Sequence, residues 1–182
     1  MTIRPGVPAD AIAIATLHTA SWRTAYRGLL PADYLAGPVA EDHRARWTEL
    51  LGQPTEGSVM FVADGADGPD GFVYLRPAAD GRTLLDNLHV RPDGKRRGRG
   101  TALLGRALEW SRRHRPGRDL YLEVLAGNTA AIAFYERNGG LRTREKTSVF
   151  PQGFEVPEFE YVWPDSATPT VGGVSGSDEE EA

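Results

Sequence analysis

Leu88-His89-Val90-Arg91-Pro92-Asp93-Gly94-Lys95-Arg96-Arg97-Gly98-Arg99-Gly100-Thr101 runs from an apolar strand pattern, through a loop of glycine and arginine, into an amphipathic helix pattern. The first N–H groups of a helix lack intrahelical acceptors and sit at the positive end of its dipole. Phosphate binds well at such an end. Gly98 and Gly100 carry no Cβ, so the backbone can come close to a ligand there. Lys95, Arg96, Arg97 and Arg99 add long-range attraction for an anion. Spacing argues against two familiar phosphate loops. A P-loop needs Gly-Lys before its Ser or Thr, whereas Thr101 follows Arg99-Gly100. A dinucleotide fingerprint needs Gly or Ala where Leu103 stands, and an acid after the next strand where Ala126-Gly127-Asn128 stands. The plain alternative is a solvated, arginine-rich helix start.

Working outward, Val59–Ala63, Phe72–Leu75 and Thr83–Val90 read as strands, separated by turn-forming stretches at Asp64–Gly71 and Ala79–Gly81. Upstream, Thr2–Arg4 is a short first strand. A helix runs from Ala11 to Tyr26, capped by Asp10 and closed by Gly28 and Pro31. A second helical piece covers Glu41–Leu51. Downstream, a helix spans Thr101–His114 and ends at Pro116-Gly117. Leu120–Leu125 is a strand and Thr129–Asn138 a helix. Leu141–Phe150 and Glu155–Trp163 form a closing hairpin around Pro151-Gln152-Gly153. The order predicts an α/β chain with a mixed sheet.

With this order on the page, the chain resembles the GNAT acyl-CoA-dependent N-acetyltransferases. Lys95 to Gly100 matches that family's Q/R-x-x-G-x-G/A loop, with Lys in place of Gln or Arg. The segment Leu122-Glu123-Val124-Leu125-Ala126-Gly127-Asn128-Thr129-Ala130-Ala131-Ile132-Ala133-Phe134-Tyr135-Glu136-Arg137-Asn138-Gly139 is similar to its strand followed by N-x-x-A-x-x-F-Y-x-x-x-G. Gly140 stands where the family commonly has Phe. A softer similarity, in Leu17-His18, Ser21-Trp22, Tyr26-Arg27-Gly28 and Leu30-Pro31, points to the branch whose first helices cover the acceptor amine. The resemblance spans about residues 2–163. It implies a mostly antiparallel twisted sheet with a splayed central pair of parallel strands, flanked by helices.

Composition sets the remaining bounds. The chain has 182 residues, no cysteine, 21 Lys plus Arg and 25 Asp plus Glu. Cysteine chemistry of every kind is therefore excluded. Pro164–Ala182 holds five acids (Asp165, Asp178, Glu179, Glu180 and Glu181) and no base, so residues 1–163 are close to neutral. We read 1–163 as the acetyltransferase domain and 164–182 as a disordered acidic tail. Arg91–Arg118 carries ten bases against Asp93 and Glu109. No run approaches the roughly 20 apolar residues of a membrane span. A cytoplasmic protein is expected. The four histidines form no HExxH pair, and no metal is expected.

Acetyl transfer from a thioester to an amine needs a held thioester, a neutral amine, a donor for the developing oxyanion and a proton for the leaving thiolate. The resemblance implies that Thr83–Val90 and Leu120–Leu125 splay, and that the gap takes the pantetheine arm of acetyl-CoA much as a sheet takes an added strand. Backbone groups of Leu88, His89 and Val90 would meet the acetyl end, with an N–H near Leu88 as oxyanion donor. The amides from Arg96 to Thr101, with Lys95 before them, would hold the pyrophosphate. Asn128 would cap its helix and bond the pantetheine. Tyr135 is the family-matched general acid, a phenol of pKa about 10 facing a thiolate of about 8.5. The base is open. The family's strand glutamate is replaced by Leu84, and Asp86, two residues on and on the same face of a regular strand, can act through water or serve as a structural partner. His89 falls on the opposite face of a regular strand. Glu123 is a third candidate, and His18 and His43 read as helix-packing residues.

Trp22, Tyr26 and Tyr34 are candidate walls for the acceptor. Glu155, Glu158 and Glu160 either draw in a cationic amine or make one solvated strand face. The expected reaction is acetylation of a primary amine on a polyamine-, amino-acid- or antibiotic-like small molecule. Rival readings are a protein lysine or N-terminal acetyltransferase, an acyl-CoA sensor without turnover, and a nucleic-acid binder using Arg91–Arg118. That last block lacks the interleaved aromatics of a stacking platform. Pairing of two copies through the late strands is left open.

Overall fold

The structure is a computed structural model that describes residues 2–94, 98–150 and 153–165, with Gly94 as backbone only. The elements are β1 (Ile3–Pro5), α1 (Ala11–Ala25), α2 (Ala32–Ala36), α3 (Val39–Gly52), β2 (Val59–Gly65), β3 (Gly68–Pro77), β4 (Thr83–Val90), α4 (Arg99–His114), β5 (Leu120–Leu125), α5 (Thr129–Arg137), β6 (Leu141–Val149) and β7 (Glu155–Trp163). Pro8–Asp10 and Pro92–Gly94 are single 3-10 turns. The seven strands form one sheet in the order β1-β2-β3-β4-β5-β7-β6. Every neighbouring pair is antiparallel except β4 and β5.

Strand periodicity divides the core in two. Phe61 and Ala63 of β2, with Val73 and Leu75 of β3, meet Leu103, Leu104 and Ala107 of α4 on one face. Met60, Val62, Phe72 and Tyr74, the alternate residues, meet Ile14 and Leu17 of α1 and Trp47 of α3 on the other. Each fully buried large side chain here contributes about 1.5–3 kcal/mol of transfer free energy. Trp47, Tyr74, Phe72 and Ile14 are among the largest of them.

β4 and β5 pair only at Thr83 with Leu120 and Leu84 with Tyr121, at the start of both strands. Beyond those residues the parallel ladder stops. The splayed central pair is therefore present. β4 is also irregular. Tyr74 pairs with Asn87 and Leu75 with Leu85, so Asp86 stands between them as an extra residue. The bulge puts Leu85 and Leu88 in the same α4-side core, although they are an odd number of residues apart.

Three sequence expectations are corrected. The Asp10 side chain does not cap α1. Its carboxylate accepts from the Val7 N–H at 2.9 Å and pairs with Arg4 at 2.8 Å, and this draws its pKa below the usual carboxylate range. The stretch Asp64–Gly71 is mostly strand, because β2 runs to Gly65 and β3 resumes at Gly68. The short helix α2 was not anticipated from the sequence. The proposed tail falls almost wholly on residues 166–182, outside the described residues, as do Pro151 and Gln152. Among the described residues no helix is long and apolar enough to cross a membrane.

Candidate active site

The site lies where β4 and β5 part. On one side of the gap α4 begins. Gly98 is its N-cap, with φ 73°, a left-handed conformation that L side chains rarely adopt. The first intrahelical bond runs from the Ala102 N–H to the Gly98 carbonyl at 3.0 Å, so the amides of Gly100 and Thr101 precede the helical ladder. A Cβ on Gly100 would lie 3.3 Å from the Phe134 ring, so glycine lets α4 and α5 meet closely. Lys95, Arg96 and Arg97 lie outside the described residues. Arg99 is not a solvent-facing cation. Its guanidinium reaches Asp70 on β3 at 2.5 Å, with both side chains about 15% exposed. Arg91 pairs with Asp93, and Arg106 with Glu109 while lying over the Phe61 ring. The basic block is thus partly neutralised within the fold.

Asn128 caps α5 as expected, its Oδ1 accepting from the Ala131 N–H at 3.3 Å. Tyr135 follows two turns on and is buried against Phe134, Tyr161 and Trp163. Burial, with a smaller effect of the nearby Tyr26, raises its pKa well above the usual phenol value. The hydroxyl keeps its proton throughout the neutral range. Gly140, the departure from the family pattern, has a packing reason. A Cβ there would lie 2.8 Å from the Trp163 ring, and the Trp163 indole donates to the Asn138 carbonyl at 2.9 Å. The indole fills the place beside Gly140.

On the α1 side a cleft of about 190 Å³ opens, walled by Trp22, Tyr26, Asp86, His89, Glu123, Phe150 and Glu158, among others. Trp22 and Tyr26 line this cleft. Tyr34 does not; it packs by Phe154 and donates to Asp42. Burial, and then the charge of Glu158, pushes the Tyr26 phenol up to about 12. The carboxylates of the cleft are all engaged. Asp86 accepts from Arg46, from Arg76 at 3.3 Å and from the Asn87 amide at 3.0 Å. Lys146 lies 2.7 Å from Glu123 and 3.7 Å from Glu158, which also accepts from Ser148. Glu160 is neither in the cleft nor on a solvated face. It is buried with Arg82, Arg144 and Thr143.

The bulge at Asp86 corrects the expected direction of His89. Its ring lines the cleft together with Asp86, and its Nδ1 lies 3.0 Å from Ser21 Oγ. Behind it stand His18, with ring centroid 4.3 Å away, and then His43, stacked on His18 at 3.6 Å. His18 Nδ1 accepts from the Trp47 indole at 3.0 Å, and His43 Nδ1 lies 3.0 Å from Thr19 Oγ1. Burial drives His18 well below the ordinary value and His43 down to about 4. Both are neutral packing residues, as the sequence suggested. The role of Ser21 was missed, although His18, Ser21 and Trp22 sit at i, i+3 and i+4 on one helix face.

The segment after α1 forms a partial roof at one end of the cleft. Leu29 lies over Gly127, where a Cβ would come within 2.4 Å of it. Trp22, Tyr26, Phe150 and Phe154 pack on Leu30, Leu35, Leu125 and Val156. A shallow depression among exposed residues of α3, around Arg44 and Thr48, holds none of this chemistry. Among the described residues no group of three or more His, Asp or Glu could hold a metal.

A strand gap opening on a glycine-capped helix start, with a buried tyrosine beyond it, is the arrangement that the sequence resemblance implies for an acyl-CoA-dependent acyltransferase. The chain belongs to the acetyltransferase (GNAT) family, whose pattern matches residues 17–140. It is an acyl-CoA-dependent N-acetyltransferase. It is 26% identical over 177 residues to the uncharacterized N-acetyltransferase YuaI of Bacillus subtilis, covering 91% of this chain and 94% of that one. It is 28% identical over 148 residues to a probable N-acetyltransferase of Mycobacterium tuberculosis, covering 74% and 76%. The fold is similar to that of the PaiA N-acetyltransferase of Thermoplasma acidophilum in complex with coenzyme A, with TM-score 0.69, 18% identity, and coverage of 90% and 100%.

Proposed function

We propose that the protein transfers the acetyl group of acetyl-CoA directly to the primary amine of a small molecule. The carrying observation is the small, partly roofed cleft. Its volume of about 190 Å³ is below the usual range for a drug-sized ligand, and the segment over it closes on Gly127 and the β7 side. Such a space suits a slender aliphatic amine better than a folded protein surface.

The chain suits acetyl-CoA as the second substrate. The edges of β4 and β5 that part after Leu84 and Tyr121 leave backbone groups for the pantetheine arm. Backbone of Leu88, His89 and Val90 borders the acetyl end, and the Leu88 N–H is the proposed oxyanion donor, worth a few kcal/mol of barrier. The amides from Gly98 to Thr101, with Lys95, Arg96 and Arg97 before them, take the pyrophosphate, and Asn128 bonds the arm. Tyr135 holds a proton for the leaving sulfur. Asp86, fixed between Arg46 and Arg76, shapes the acceptor wall with Trp22 and Tyr26.

The test is a panel of aliphatic monoamines, diamines, amino acids and aminoglycosides, set against lysine-containing peptides, with free thiol as the readout. Turnover confined to small amines supports the reading. Faster turnover of peptides overturns it. In the same assay Tyr135→Phe, which removes one oxygen from an aromatic cluster, lowers kcat about 100-fold with acetyl-CoA binding retained.

A further inference from the structure

We infer that His89 is the group that takes the proton from the acceptor's ammonium, and that Ser21 is its positioning residue. The inference rests on the acetyl-transfer reading above and deepens it. Three observations carry it. The β4 bulge turns the His89 ring into the acceptor cleft, beside Asp86. Ser21 Oγ sits 3.0 Å from His89 Nδ1. With Ser21 accepting, Nδ1 keeps its hydrogen and Nε2 keeps the lone pair that receives a proton. The other two candidates are already paired, Asp86 with two arginines and Glu123 with Lys146.

The surroundings fit a histidine that changes charge. From α1 it faces Ser21 and neutral His18, and behind His18 stand His43 and Arg46 of α3. Phe72 of β3 lies 5.6 Å away, ring to ring. Asp86 of β4, Glu123 of β5, Glu158 of β7 and Tyr26 share the cleft, and Arg46, Arg76 and Lys146 answer the three carboxylates. Moving a proton from an alkylammonium to an imidazole is about four pKa units uphill in water. Desolvation lowers the ammonium and the imidazolium alike, so the step is drawn forward by the attack that consumes the neutral amine.

The balance is complete. His89 takes one proton from R–NH3+ and later releases it to water. The neutral amine forms the N–C bond as the C–S bond breaks. The sulfur takes the Tyr135 proton, and the second proton of the attacking nitrogen restores Tyr135. The products are the amide and the free thiol.

The experiment measures kcat/KM against pH with butylamine and 1,4-diaminobutane for the parent, His89→Gln, Ser21→Ala and Asp86→Asn. For His89→Gln we expect a roughly 100-fold loss at pH 7, with log rate climbing one unit per pH unit where the parent levels off. Ser21→Ala keeps a plateau but moves its midpoint. A His89→Gln profile that superimposes on the parent's overturns the inference, as does a plateau lost only in Asp86→Asn. Because a variant can fail to fold, the parent with acetyl-CoA bound is also followed by imidazole 15N NMR. His89 titrating between pH 5 and 8 from an Nδ1–H tautomer supports the role, and a ring silent over that range overturns it. A parent that turns over neither amine nor any member of the wider panel removes the acetyl-transfer reading itself, and this role with it.

Discussion

Single residues in this fold carry charge states that the cleft depends on. His18 and His43 are buried and neutral, and they back the cleft histidine without competing for its proton. The cost of keeping them neutral appears in acid. In the unfolded chain each takes up a proton near pH 6.5, whereas in the folded chain His43 resists to about 4 and burial holds His18 well below the ordinary value. The unfolded state therefore binds more protons between these values, and stability falls as pH drops through that window. For His43 alone the loss reaches about 3 kcal/mol by pH 4. Thermal melts should show Tm steady above pH 7 and dropping steeply between pH 6.5 and 4. His43→Gln removes one titrating group, so its Tm should depend less on pH across that window, whatever its absolute stability. An equally steep dependence in the variant counts against this account.

At the scale of elements, the start of α4 makes the sharpest demand on sequence. Gly98 is left-handed and Gly100 lies against Phe134. In the double variant Gly98→Asp, Gly100→Asp, two carboxylates enter the proposed pyrophosphate site and one Cβ presses on the Phe134 ring. Calorimetry should show acetyl-CoA affinity down at least 30-fold, with circular dichroism unchanged. This element was legible in the sequence because glycine spacing before an apolar helical period has few physical readings. The other regular elements except α2 were legible from their apolar periods, and Thr83–Val90, Leu120–Leu125 and Glu155–Trp163 match their observed ends. The β4 bulge was not. Period-two alternation assumes one residue per partner, and the extra residue at Asp86 is set by pairing with β3, a long-range fact that no local pattern encodes. His89 was accordingly assigned to the wrong face. Gly140 and Trp163 are a second case. Each looks odd alone, and the fit between them exists only once β7 enters beside β5.

Across the whole molecule, the proposed acceptor cleft depends on holding the first helices over the end of the sheet. Arg23 is the strap. Its Nε donates to the Leu35 carbonyl at 2.7 Å and its Nη2 to the Ala36 carbonyl at 3.0 Å, tying the end of α1 to the end of α2. Between them lies the segment whose Leu29 covers Gly127. A charge-assisted bond contributes about 1.5–3 kcal/mol, and Arg23 is partly solvated, so the lower end applies. Arg23→Ala should loosen the roof without touching the strand gap. The amine KM should then rise about tenfold with acetyl-CoA affinity unchanged, and limited proteolysis should cut within residues 26–38 more quickly. Unchanged amine KM together with faster proteolysis would separate roof mobility from amine binding, and it would place recognition in the cleft walls alone. A rise in both constants would instead mean that the roof and the acetyl-CoA gap open together, through the contact of Leu29 with the turn that precedes Asn128.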